Sequence, residues 1–76
     1  MPKLPRPSGK EMLAFLVRRG FVIMRINGSH HVLSAGTIRT SVPVHGNATL
    51  KIGTLQGILR DIGMSAEEFV DTWKNK

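Results

Sequence analysis

The dipeptide Asn-Gly at positions 27–28 constrains the fold of this chain more than any other feature of its sequence. It separates two segments rich in β-branched and apolar residues, FVIMRI at 21–26 and HHVLSA at 30–35. Asn-Gly in this setting is the strongest short-range signal for a β-hairpin. The segment IRTSVPV at 38–44 alternates apolar and polar residues and predicts a third strand. The centre of the chain therefore predicts an antiparallel three-stranded meander.

Helices are predicted on both sides of this meander. Ser8 and Glu11 form a capping box before an apolar stripe, which predicts a helix over 9–19. Apolar residues at helical spacing predict a second helix over 54–63, and Ser65 opens a second capping box that leads a short helix to about Trp73. We expect the core to contain Met12, Phe15, Leu16, Leu55, Ile58, Leu59, Phe69 and Trp73.

The predicted order α-β-β-β-α, with a short extra C-terminal helix, belongs to the α+β class. Three antiparallel strands cannot bury both faces, so we expect the helices to cover one face and to leave the other in water. Pro43 cannot donate a ladder hydrogen bond, so the third strand is an edge strand or ends there. Residues 8–76 are predicted to form a single domain, preceded at 1–7 by a proline-rich arm that is either extended and mobile or a first edge segment.

The charge of the chain points to a polyanionic partner. The net charge is +6 over 76 residues, and residues 1–60 contain nine basic residues but only one acid, Glu11. Because no basic amphipathic helix stands out, this charge favours nucleic acid over a membrane. The chain has no cysteine, no signal-peptide pattern and no apolar run approaching the roughly 20 residues of a membrane span, so we expect a cytoplasmic location.

Two adjacent histidines, His30 and His31, follow the predicted hairpin turn. Neighbouring strand residues point to opposite faces, so the pair cannot serve one metal ion or one catalytic centre without a bulge. Each can also be an ordinary strand residue bonded to a backbone carbonyl. If the turn is Asn27-Gly28, Arg25 pairs with His30 and favours its neutral, basic form, whereas a three-residue loop pairs Arg25 with His31.

Three stretches together resemble the HicA-type toxins of bacterial toxin–antitoxin pairs: KLPRPSGKEM at 3–12, GFVIMRINGSHHVL at 20–33 and TSVPVHGNATLKIGTLQGILRDIGMSAEEF at 40–69. The resemblance implies a small fold like that of double-stranded-RNA-binding domains, metal-independent cleavage of mRNA without a cofactor, and inhibition by a HicB-type antitoxin. It assigns the catalytic base to His30, with His31 as the alternative. His45 is either the catalytic acid or, as we prefer, a structural residue at the end of the third strand.

The predicted RNA contacts are basic or polar residues spread over the chain: Lys10, Arg25, Ser29, His31, Arg39 and Lys51. A neutral histidine is a good base near pH 7, and RNA supplies its own nucleophile in the 2′-hydroxyl, so an open surface is sufficient for such chemistry. A non-catalytic module that binds double-stranded RNA has the same expected fold and stays as the alternative. A DNA-binding module is a weaker alternative, because no helix-turn-helix spacing is evident.

Overall fold

The predicted order of helices and strands is confirmed in the computed structural model, which describes residues 3–74. The elements are α1 (Gly9–Arg18), β1 (Val22–Asn27), β2 (His30–Ala35), β3 (Ile38–Pro43), α2 (Ile52–Ile62) and α3 (Ala66–Lys74). The starts of α1 and α3 agree with the two capping boxes. α2 begins two residues before its predicted start, because its N-cap is Lys51, whose side chain makes no capping hydrogen bond and so leaves no signal in the sequence.

The sheet is antiparallel with the strand order β1-β2-β3, so β3 is an edge strand that ends at Pro43, as predicted. Neither register considered above for Arg25 is correct, because Arg25 pairs with Val32. The cause is the turn: Asn27 still belongs to β1 and pairs with His30, which leaves Gly28 and Ser29 as the two loop residues. A positive φ of 63° at Gly28 alone is the pattern of a type II′ turn.

The helices cover one face of this sheet and leave the other open. Residues directly opposite each other in neighbouring strands share a face. Leu33 pairs with Thr40 and both are buried, and Val42 on the same face is also buried. His30 and Arg25 lie on the other face and are exposed. The expectation of one covered and one open face is therefore confirmed for β2 and β3, whereas all six residues of β1 are exposed.

The core lies between this covered face and the helices. Of the predicted core residues, Met12, Phe15, Leu16, Leu55, Ile58, Leu59 and Phe69 are buried. Trp73 is only partly buried at the edge of the core, where its ring lies 5.6 Å from that of Phe15 and 5.4 Å from that of Phe69. This aromatic cluster holds α3 against α1.

The end of β3 is fixed by contacts with the N-terminal segment. Gly9, the first residue of α1, packs so closely that an added Cβ atom would collide with the carbonyl oxygen of Pro43. Just before it, the buried Pro7 accepts a hydrogen bond of 2.9 Å from the backbone N–H of Leu50. The first two residues of the arm predicted at 1–7 lie outside the described residues. Its second half runs along the loop that precedes α2.

Candidate functional site

His30 is the first residue of β2 and is exposed on the open face of the sheet. It lies between Asn27 of β1 and Pro43 of β3, its partners in the two ladders. The turn that precedes it is attached to the end of β3, because the backbone N–H of Val44 donates a hydrogen bond of 2.7 Å to the carbonyl of Ser29. An imidazole in this position is accessible to a large substrate, and its backbone is held on both sides.

His31 has a different environment. It lies on the face of the helices, between Ile26 and Val42, and it is half-buried. Its Nδ1 atom lies 3.3 Å from the carbonyl oxygen of Ser29. Because a carbonyl only accepts, Nδ1 carries the proton in this contact, and the ring is held by its own turn. The expected placement of the two histidines on opposite faces is confirmed, and this placement separates His31 from the open face.

The predicted RNA-binding arginines share the open face with His30 but differ in distance from it. Arg25 is opposite Val32, which makes it a diagonal neighbour of His30 at roughly 7–8 Å between Cα atoms. Arg39 is opposite Ser34, four residues before Pro43, so it lies toward the other end of β3, roughly 13 Å away along the strand. Both side chains are exposed.

A cleft of about 270 Å³ lies between the end of β3 and the start of α2. Its lining residues are Pro43, His45, Ala48, Thr49, Leu50, Lys51 and Thr54. Pro43 is thus a wall of the cleft and also the partner of His30 in the sheet. The predicted RNA contact Lys51 is one of these lining residues. Lys10, in contrast, is exposed in the first turn of α1, next to the Gly9 that packs on Pro43.

Sequence reasoning named Lys51 as an RNA contact and left His45 as the catalytic acid or, preferably, a structural residue, but it did not place Pro43 or the loop at 48–50 in a site. The His45 side chain is exposed and lines the cleft, and only its backbone carbonyl serves the loop, by accepting a hydrogen bond of 2.9 Å from the N–H of Ala48. The sequence offered one signal: VPVHGN brings a histidine two residues after a strand-ending proline. The partner of that proline could not be known without the register.

Within residues 3–74, no three histidine, aspartate or glutamate side chains come together in a way that could hold a metal ion. The helices of this described part are all too short or too polar to cross a membrane.

The chain is a small basic α+β domain, with helices on one face of a three-stranded antiparallel sheet. The exposed histidine on the other face is accessible to a large partner. The sequence profile of the family described as HicA toxin of bacterial toxin-antitoxin matches residues 9–64, well over half of the chain. The chain belongs to this family and is the toxin of a toxin–antitoxin system, so it pairs with an antitoxin. No curated protein matched in a separate search.

Proposed function

We propose that this toxin is a metal-independent endoribonuclease, an mRNA interferase, with His30 as its general base. The observation that carries the proposal is the position of His30: an exposed imidazole on the open face, in a backbone held by both neighbouring strands, with Arg25 as its diagonal neighbour on the same face. The other histidine of the pair is half-buried on the helix face and bonded to its own turn, which makes it the weaker candidate.

The chemistry needs no group that this surface lacks. His30 takes the proton of a ribose 2′-hydroxyl, and the oxygen attacks the adjacent phosphorus. The bond from phosphorus to the 5′ oxygen then breaks, and that oxygen takes a proton from water. The products are a 2′,3′-cyclic phosphate and a 5′-hydroxyl end. Arg25, on the same face, is placed to stabilise the charge that develops on the phosphate.

The first test compares wild-type protein with His30→Ala on a defined mRNA in the presence of EDTA. We expect wild-type protein to leave 5′-hydroxyl ends, and cleavage to fall ~10²–10⁴-fold in the variant, because a base adds rate and not ground-state binding. RNA affinity and the circular dichroism spectrum should stay nearly unchanged. An RNA with a 2′-deoxyribose at the cleaved position is the matched substrate control and should resist cleavage.

The outcomes separate the candidate functions. RNA that wild-type protein binds but leaves intact would indicate the non-catalytic double-stranded-RNA-binding module instead. Cleavage that His31→Ala removes from a folded protein, and that His30→Ala does not, would move the base to His31. Cleavage that survives both substitutions would leave the histidine pair without a catalytic role.

We also propose that the antitoxin is of the HicB type, is acidic and covers the His30 face. The basic surface favours fast association with an acidic protein. The edge strand β1 exposes apolar residues on both faces of the sheet: Val22 on the open face is 61% exposed, Ile26 on the helix face is 60% exposed, and Met24 in the irregularity between Ile23 and Arg25 is 58% exposed. Exposed aliphatic residues along a strand edge are typical of a protein-binding site.

Binding of the antitoxin should therefore slow RNA cleavage in proportion to the fraction of toxin bound. The measurement is cleavage by wild-type toxin titrated with purified antitoxin, with serum albumin as the control protein. Tight binding that left the cleavage rate unchanged would show that the antitoxin occupies another face.

A further inference from the structure

We propose that the cleft between β3 and α2 binds a phosphodiester group of the RNA strand, next to the bond that is cleaved at His30. This inference rests on the proposed function and assigns it a second contact site. The cleft is lined by the side chains of His45, Lys51 and two threonines, and Pro43 forms its wall on the side of the sheet.

Pro43 connects the cleft with His30, which does not itself line it. Pro43 is directly opposite His30 in the sheet, so their Cα atoms lie roughly 5 Å apart. His45 follows Pro43 by two residues and therefore lies at most about 7 Å further. The hydrogen bond from Val44 to Ser29 fixes the two segments against each other. The cleft is therefore within reach of a neighbouring nucleotide in an RNA strand whose reacting phosphate lies at His30.

The lining offers the donors that a phosphodiester accepts. Lys51 supplies an ammonium group with three donors, and Thr49 and Thr54 supply hydroxyl groups. His45 supplies at least one ring N–H, and it is exposed. All of these groups donate, and no carboxylate lines the cleft to repel an anion.

The size of the cleft also fits part of a nucleotide. Its volume of about 270 Å³ lies below the range of roughly 300–1,000 Å³ typical of sites for complete small molecules. Pro43 and Ala48 are apolar residues of the lining, which suits a ribose carbon surface beside the phosphate. A segment of a longer polymer, held mainly elsewhere, is therefore the better occupant than a free cofactor.

The first experiment measures binding of a short fluorescent single-stranded oligoribonucleotide by His30→Ala protein, which removes cleavage from the readout. In this background Lys51→Ala should weaken binding about tenfold and reduce the dependence of log affinity on log salt by roughly 0.7, the contribution of one phosphate. Lys74→Ala at the end of α3 removes the same charge far from the cleft and should have little effect. If both variants lost the same amount of affinity, the cleft assignment would be overturned, because the RNA would then respond to the overall positive charge of the protein and not to Lys51 in particular.

A second pair of variants tests the cavity without changing the charge. Ala48→Phe fills the cleft, while Ala14→Phe adds the same side chain on the exposed side of α1. We expect Ala48→Phe alone to weaken oligoribonucleotide binding. Unchanged affinity in both variants would show that no part of the RNA enters the cleft.

Failure of this inference can be distinguished from failure of the proposed function. In a wild-type background His45→Ala should raise KM and leave kcat nearly unchanged, as expected for a group that binds substrate and transition state equally. A fall in kcat alone would overturn this role and place His45 at the reacting bond.

If wild-type protein cleaves no RNA, the ribonuclease proposal fails, and the binding comparisons above still decide whether the cleft binds RNA. Loss of antitoxin binding in Lys51→Ala, with RNA affinity intact, would assign the cleft to the antitoxin.

Discussion

His30 and His31 are adjacent in the chain, but the pleat of β2 gives them different surroundings. The sequence alone predicted that they point to opposite faces, since this follows from strand geometry. It could not predict which face is open. That depends on which side of the sheet the helices pack: Leu33 and Val42 are buried against them, and His31 lies on the same face as both.

This difference predicts unequal costs in stability. His31→Ala removes a half-buried ring and its hydrogen bond to Ser29, at a cost of about 1 kcal/mol, which lowers Tm by about 4–8 °C in a domain of this size. His30→Ala changes an exposed side chain and should cost less than about 0.5 kcal/mol. Thermal unfolding followed by circular dichroism measures both. Equal melting temperatures would mean that His31 is not held as described.

The sequence predicted the first residue of a helix correctly where a capping box precedes it, which is the case for α1 and α3. In α1 and α3 the capping serine and glutamate exchange hydrogen bonds over three residues, as between Ser65 and Glu68 at 3.1 Å, so the signal is local. Helix α2 begins after Lys51 without such a bond, so the spacing of its apolar residues, Leu55 and Ile58 among them, predicts the helix but not its first turn.

Two helical glycines should respond in opposite ways to the same substitution. An added Cβ at Gly57 in α2 meets nothing within 4 Å, so Gly57→Ala should raise the free energy of unfolding by about 0.5–1 kcal/mol through helix propensity. At Gly9 in α1 the same Cβ meets the backbone of Pro43 and Val44, so Gly9→Ala should lower the free energy of unfolding by about 1–3 kcal/mol. Urea unfolding of both variants provides the comparison. A stabilised Gly9→Ala protein would show that α1 does not pack closely on the end of β3.

At the scale of the whole molecule, three of the five acidic residues accept hydrogen bonds that stabilise the fold, while the lysines and arginines within residues 3–74 are exposed. Asp61 accepts a hydrogen bond of 3.0 Å from the buried Thr40, and Glu11 and Glu68 each accept one from a backbone N–H in a capping box. The net charge of +6 is therefore displayed by exposed lysines and arginines such as Arg25 and Lys51. Composition alone predicted a polyanionic partner, but the alignment of these charges with His30 required the three-dimensional fold.

The affinity for RNA should accordingly fall steeply as salt increases. Each phosphate neutralised on a single strand contributes roughly −0.7 to the slope of log affinity against log salt, because condensed counterions are released. We expect a slope equivalent to several contacts, measured by fluorescence anisotropy with His30→Ala protein to avoid cleavage. A flat titration would contradict an electrostatic role for the basic surface.

The position of Pro43 has a consequence for genetics. This one residue faces His30 in the sheet, forms a wall of the cleft and receives the close packing of Gly9. Selection for cells that survive expression of the toxin should thus recover two groups of survivors. Changes at His30 leave an abundant, inert protein that still captures its antitoxin, whereas changes at Gly9 or Pro43 lower the amount of folded toxin. Substitutions at several positions, and not only at one histidine, should therefore allow cells to survive. The amount of soluble toxin in each survivor distinguishes the two groups.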